Sequence, residues 1–75
     1  MTLQEFVEAF AAEFDETEQS VFKPETEFKT LDEWSSLTAL SIISMIDEQL
    51  DKTVTGADIR ASKTIEDLYN IAISK

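Results

Sequence analysis

The sequence predicts an all-α fold: a small four-helix bundle with three longer helices, one short helix and a long first loop. Apolar residues recur at helical spacing in three segments, and no segment shows the strict apolar–polar alternation of a half-buried strand. The chain has 75 residues, with one Gly and one Pro. We therefore expect a single domain, residues 1–75, with few tight turns.

The first helix is predicted from Thr2 to about Glu16. Thr2 is a candidate N-cap, and Glu5 follows at the three-residue spacing of a capping box. Three phenylalanines on one helical stripe are more typical of core packing than of a ligand site. The inward face comprises Leu3, Phe6, Val7, Phe10, Ala11 and Phe14.

A long connection from Asp15 to Leu31 follows and contains the only proline, Pro24. A loop of this length is uncommon in a compact domain and needs a structural reason. A long crossover lets the first two helices adopt an arrangement that a short hairpin does not allow. We expect its apolar residues to hold it across the bundle, with Phe28 in the core. These apolar residues are Val21, Phe22, Phe28 and Leu31.

The second helix is predicted from about Ser36 to Leu50, with Ser35 as its N-cap. Ser36 then lies on the first turn, beside free backbone N–H groups and the positive end of the helix dipole. That position favours a phosphate ester. No charged residue occurs from Leu37 to Ile46. The segment therefore predicts the central helix of the bundle, buried on several sides.

Trp34 precedes the second helix, and its side chain has two interpretations. It packs as a hydrophobic staple against Thr38 or Leu37, or it lies exposed beside Ser36 as a partner contact. We favour packing over exposure.

The remainder of the chain predicts two further helices. Thr55 to Ala61 forms one or two turns, with Ile59 pointing inward. Thr64 is the N-cap candidate of the last helix, about Ile65 to Ile73. Asp67 follows three residues later, which is the spacing of the Ser/Thr-x-x-acid pattern at helix starts. The inward stripe of the last helix comprises Ile65, Leu68, Tyr69 and Ala72.

The composition restricts the classes of function. Sixteen acidic and six basic residues give a formal net charge of −10. This charge disfavours nucleic acid and anionic membranes, and it favours partners with basic patches. The alternative is that the acids serve solubility alone. The chain has no Cys and no His. It therefore lacks a disulfide, a thiolate zinc site and any nucleophile–His pair, and we expect neither an enzyme nor a metal site.

Membrane and export signals are also missing from the sequence. No apolar run approaches the roughly 20 residues of a membrane span, and the N-terminal segment lacks the basic region of a signal peptide. We therefore expect a monomer in the cytoplasm without membrane insertion.

The start of the second helix resembles the acyl carrier protein family. In that family the modified serine lies in an Asp-Ser-Leu motif that opens the second helix. Here the motif is Ser35-Ser36-Leu37, so the Asp is replaced. The resemblance covers nearly the whole chain and implies an acyl-carrier-protein-like bundle. The matching positions after the motif are Leu40, Ile42, Ile43, Ile46, Asp47, Glu48, Leu50 and Asp51.

The resemblance implies that 4′-phosphopantetheine is attached to Ser36 through a phosphodiester. The thiol of this arm would carry an acyl group as a thioester. Ser35 is the competing serine, but Leu37 follows Ser36 as the motif requires, and Ser35 is better suited as the cap. The implied partners are a phosphopantetheinyl transferase and the acyl-loading, condensing and acyl-transferring enzymes of a specialised fatty-acid, polyketide or lipid pathway.

The resemblance also implies two sets of binding residues. The first set is the lining of an acyl pocket: Phe28, Ala39, Ile43, Ile46, Ile59 and Leu68. The second set is a partner-recognition surface: Trp34, Ser35, Leu37, Leu40, Asp47 and Glu48. Acids are fewer beside the serine here than is common in the family, so the approach surface is expected to be nearly neutral.

Two alternative functions remain open at this stage. One is a carrier for an aminoacyl or aryl group. The other is an unmodified helical protein-interaction module, in which Ser36 is an ordinary helix-start serine and the apolar interior is only a core. Intact mass after treatment with a transferase separates the module from the carriers, and the cargo separates the two carriers.

Overall fold

The computed structural model describes residues 1–75 and contains four α-helices and no strand, which confirms the predicted all-α class. The helices are α1 (Leu3–Ala11), α2 (Ser36–Leu50), α3 (Gly56–Ala61) and α4 (Ile65–Ile73). Helix α4 packs against each of the other three, and α1 also packs against α2. The long connection between α1 and α2 contains two short 3₁₀ turns, Gln19–Val21 and Phe28–Thr30.

Helices α1, α3 and α4 each begin with a capping box. A threonine hydroxyl accepts the N–H of an acidic residue three positions on, and that acid accepts the threonine N–H. The pairs are Thr2 with Glu5, Thr55 with Asp58, and Thr64 with Asp67. The first and last helix starts were predicted from the sequence. The box of α3 has the same spacing but was missed.

Helix α1 ends at Ala11, so the predicted end near Glu16 is wrong. The chain tightens into a turn, in which the Phe14 N–H donates to the Ala11 carbonyl three residues earlier. Phe14 is buried nonetheless, and its ring stacks on that of Phe10 with the centroids 5.6 Å apart. Hydrophobic burial at this position therefore does not require the helix to continue.

The Glu33 carboxylate binds the backbone N–H groups that a longer α1 would have used. It accepts the backbone N–H groups of Asp15 at 2.8 Å, Glu16 at 3.1 Å and Thr17 at 2.9 Å. It also accepts the Thr17 hydroxyl at 2.8 Å. Donors that would have extended α1 are therefore bound to an acceptor immediately before α2.

The long connection contributes to the core, as predicted for Phe28. The Phe28 ring is fully buried, with its centroid 5.3 Å from that of Phe10. Phe22 is buried as well, whereas Val21 is 42% exposed and does not hold the loop in place. The core comprises Phe6, Val7, Phe10, Ala11, Phe14, Phe22, Phe28, Ile42, Met45, Ile46, Val54, Ile59, Ile65, Leu68 and Ala72.

The connection is also hydrogen-bonded to the start of α4. The Ile65 N–H donates to the Thr26 carbonyl at 3.2 Å, and the Glu66 N–H donates to the Pro24 carbonyl at 2.9 Å. Both donors belong to the first turn of α4, where no partner exists within the helix. The loop therefore supplies the acceptors that this helix start requires.

Helix α2 has the predicted bounds, but the expectation that it is buried on several sides is wrong. Its buried residues are Ile42, Met45 and Ile46. Leu37 is 76% exposed and Leu40 is 60% exposed. The absence of charged residues from Leu37 to Ile46 therefore does not reflect burial. Serine and threonine supply much of the polar surface of this helix instead.

Candidate functional site

Ser36 is the first residue of α2, and its side chain is exposed. The preceding Ser35 is the N-cap, as predicted: its hydroxyl accepts the Thr38 N–H at 3.3 Å. The Thr38 hydroxyl in turn donates to the Glu33 carbonyl at 3.0 Å. These bonds use Ser35 and Thr38, while the Ser36 hydroxyl makes no hydrogen bond within the protein.

The first turn of α2 has the electrostatic character of an anion site. No acidic residue lies in it. The backbone N–H groups of Ser36 and Leu37 donate to no acceptor in the protein. Free N–H groups and the positive end of the helix dipole favour a phosphate at this position. The exposed hydroxyl and these donors therefore fit a phosphodiester on Ser36.

A surface depression of about 620 Å³ lies beside Ser36, between the N-terminal half of α2 and helix α3. We call it the Ser36 depression. Three residues of the predicted acyl-pocket set, Ala39, Ile43 and Ile59, line it. The other three, Phe28, Ile46 and Leu68, are fully buried in the core. The complete lining is Lys29, Trp34, Ser35, Ser36, Ala39, Leu40, Ile43, Gly56, Ile59 and Arg60.

Trp34 combines parts of its two predicted positions. Its half-buried ring packs against the core, with centroids 4.9 Å from Phe28 and 6.4 Å from Phe14. The indole also lines the Ser36 depression. Leu37, one of its predicted packing partners, extends into solvent instead. Trp34 thus connects the core to the surface beside the serine.

The other predicted partner-recognition residues, Ser35, Leu37, Leu40, Asp47 and Glu48, are all exposed. A second depression of about 380 Å³ lies on the other side of Leu40, which lines both. We call it the acidic depression, because Glu13 and Glu48 line it. Its complete lining is Glu13, Leu37, Leu40, Ser41, Ser44, Met45, Glu48 and Gln49.

Sequence analysis missed three residues of the Ser36 depression: Lys29, Gly56 and Arg60. The Lys29 ammonium donates to the carbonyls of Ile59 at 3.2 Å and Arg60 at 3.0 Å, at the end of α3. A lysine that satisfies free helix-end carbonyls is a common way to end a helix. No local sequence pattern predicts this contact between the loop and α3.

No group of three or more acidic, Cys or His side chains is arranged to hold a metal ion. None of the helices has both the length and the apolar character needed to cross a membrane. Comparison of the chain with protein-family models, curated proteins and solved structures gives no match.

Proposed function

We propose that this chain is an acyl carrier protein that carries acyl intermediates as thioesters on a 4′-phosphopantetheine arm attached to Ser36. The observation that supports this most directly is the position of Ser36. Its hydroxyl is exposed, free of hydrogen bonds and placed on a helix first turn without acids. An apolar depression beside it offers space for a chain attached at that serine.

The residues around Ser36 have separate roles in this proposal. Ser35 caps α2 and so fixes the turn on which Ser36 lies. The N–H groups of Ser36 and Leu37 would receive the phosphodiester oxygens. The arm supplies a thiol, which the chain lacks because it has no Cys. Partner enzymes would load, modify and remove the acyl group, and the carrier itself would not be an enzyme.

The test is intact mass after incubation with coenzyme A and a phosphopantetheinyl transferase. We expect the mass gain of one phosphopantetheinyl group on the wild type and none on Ser36→Ala. Ser35→Ala, at the N-cap, and Ser41→Ala, on the helix, are the matched controls and should still gain the mass. Peptide mapping must assign the group to Ser36. A group on Ser35, or no gain with a transferase of broad specificity, would overturn the proposal.

A second candidate function is an unmodified helical protein-interaction module. The exposure of Leu37 and Leu40 favours it, because large apolar side chains at neighbouring surface positions are typical of binding surfaces. This candidate predicts no mass gain with any transferase. It also predicts that a partner binds the wild type and Ser36→Ala equally well.

A further inference from the structure

The charge distribution around the Ser36 depression differs from that of the rest of the chain. Acidic residues outnumber basic ones by 16 to six overall. The lining of the Ser36 depression nevertheless includes two basic residues, Lys29 and Arg60, and no Asp or Glu. The acidic depression on the other side of Leu40 has the opposite composition, with two glutamates and no basic residue.

Neither cation of the Ser36 depression is neutralised by a carboxylate. The only ion pair in the structure joins Lys75 to Asp58, at 2.8 Å. Lys29 is positioned instead by the two carbonyls at the end of α3. The Arg60 guanidinium lies over Gly56, where an added Cβ would be 3.4 Å from Nη1. Lys29 is thus held beside the depression by hydrogen bonds, the Arg60 side chain makes none, and neither charge is paired with a carboxylate.

The remaining lining is largely apolar. Hydrophobic surface is contributed by Trp34, Ala39, Leu40, Ile43 and Ile59, and Ser36 also lines the depression. A purely apolar chain would use this surface and leave the two cations without an anionic partner. A chain with an anionic group at its far end would use both features, because an anion close to an unpaired cation gains Coulomb energy.

We infer that the Ser36 depression takes an acyl chain that is apolar along its length and ends in a carboxylate. The inference rests on the proposed function, since it takes the occupant to be cargo attached at Ser36. It specifies the cargo class: the half-thioester of a dicarboxylic acid rather than a simple fatty acyl group. The competing occupant is an acidic segment of a partner protein, and the experiment below distinguishes the two.

The test attaches probe chains without a transferase. The chain has no Cys, so Ser36→Cys introduces one thiol. Its thiolate attacks the sulfenyl sulfur of an alkyl methanethiosulfonate, a disulfide forms, and methanesulfinate leaves. One probe carries a pentyl chain, and the other carries a pentyl chain with a terminal carboxylate. Ser44→Cys is the matched control, because Ser44 lies on the same helix but lines the acidic depression.

We expect the carboxylate probe to raise the melting temperature of Ser36→Cys above that of the pentyl form by about 1–6 °C, as for a surface ion pair in a small domain. On Ser44→Cys the same comparison should give no rise or a decrease, because the added charge meets like charges. In Ser36→Cys with Arg60→Gln the rise should be smaller, because only Lys29 remains to attract the carboxylate. In Ser36→Cys with Lys23→Gln, which removes a basic residue of the long connection, it should persist.

NMR titration of a ¹³C-labelled probe carboxylate gives a second readout. Its apparent pKa should be lower on Ser36→Cys than on Ser44→Cys, and Arg60→Gln should reduce the difference. This measurement requires a folded protein but does not depend on any difference in melting temperature.

Three outcomes would overturn the inference. The first is equal melting temperatures for both probes on Ser36→Cys together with equal carboxylate pKa values at the two sites. The second is a stabilising effect of the carboxylate that is as large on Ser44→Cys. The third is Arg60-dependent binding of an acidic peptide without any preference for the carboxylate probe, which would make the depression a docking site. None of these outcomes depends on whether a transferase modifies Ser36. The proposed function is tested separately, by the intact-mass experiment.

Discussion

The Thr17 hydroxyl and backbone N–H both donate to one oxygen of the Glu33 carboxylate, at 2.8 and 2.9 Å. The hydrogen bond from the Thr17 hydroxyl is the main cause of the lowered pKa of Glu33, because it stabilises the charged carboxylate. The Glu33 carbonyl accepts the Thr38 hydroxyl on the first turn of α2. One residue therefore joins the end of α1 to the helix start that presents Ser36.

The lowered pKa of Glu33 predicts how stability depends on pH. The stabilising contribution of this carboxylate is fully present above its usual value of 4.5 and is lost as pH falls through the lower pKa of the folded protein. We therefore expect Glu33→Gln to lower the melting temperature at neutral pH, by an amount that shrinks below pH 4.5. Glu27→Gln, in the same connection, is the control. A Glu33→Gln effect that is constant with pH would contradict this prediction.

The net charge of −10 predicts that stability increases when the acids are screened. Added salt, or mild acidification from pH 7 toward about pH 5, should raise the melting temperature. No group of three or more carboxylates is arranged to hold a metal, so magnesium, calcium and sodium chlorides at equal ionic strength should act similarly. A melting temperature that is independent of salt, cation and pH would show that the acids are too dispersed to repel one another.

The two neighbouring serines should differ in their effects on stability. Ser35→Ala removes the cap of α2 and should lower the free energy of unfolding by about 0.5–2 kcal/mol. Ser36→Ala removes an exposed hydroxyl without a partner and should change it by less than about 0.5 kcal/mol. Urea denaturation of both variants measures the difference. The reverse order would mean that Ser36, rather than Ser35, caps the helix.

The exposed leucines should govern recognition by partners more than the acids do. We predict that Leu37→Ala and Leu40→Ala shorten the lifetime of complexes with the transferase or a condensing enzyme, with little effect on stability. Asp47→Asn and Glu48→Gln, in contrast, should change chiefly the association rate and its salt dependence. Surface plasmon resonance across a salt series separates the two effects. Unchanged dissociation rates in both leucine variants would refute the prediction.

Acids added near Ser36 test whether this surface is specialised for its own partners. Ser41→Glu should speed the reaction with generic transferases and condensing enzymes, mostly at low salt. Thr38→Asp is a poor choice for this purpose, because the Thr38 hydroxyl is bonded to the Glu33 carbonyl. If the wild type already reacts as fast as an ordinary acidic carrier, and Ser41→Glu adds nothing, a separate partner set is not needed.

Local patterns predicted most of the helix boundaries. Three helix starts are predicted by their N-cap residues, Thr2, Ser35 and Thr64. Each capping side chain lies within three residues of the backbone donor that it accepts. The end of α1 was missed because it depends on Glu33, which lies far along the chain from the N–H groups it accepts.

The surface of the candidate site was harder to predict than its helix. The exposure of Leu37 and Leu40 depends on where the other helices pack, and the sequence of α2 alone does not contain that information. Arg60 and Lys29 reach the depression only because α3 and the long connection fold against α2. Capping contacts within one helix start are thus predictable, whereas exposure and the positions of Lys29 and Arg60 are set by how separate segments pack.

The hydrogen bonds from the first turn of α4 to Pro24 and Thr26 have a consequence for the order of folding. The donors are synthesised after the acceptors, because they lie further along the chain. These two bonds of the long connection therefore cannot form until the last helix has been synthesised and has docked. Contacts between distant parts of a chain slow folding. A nascent chain that ends before α4 should keep this connection open to proteases, and with it the residues that hold the start of α2.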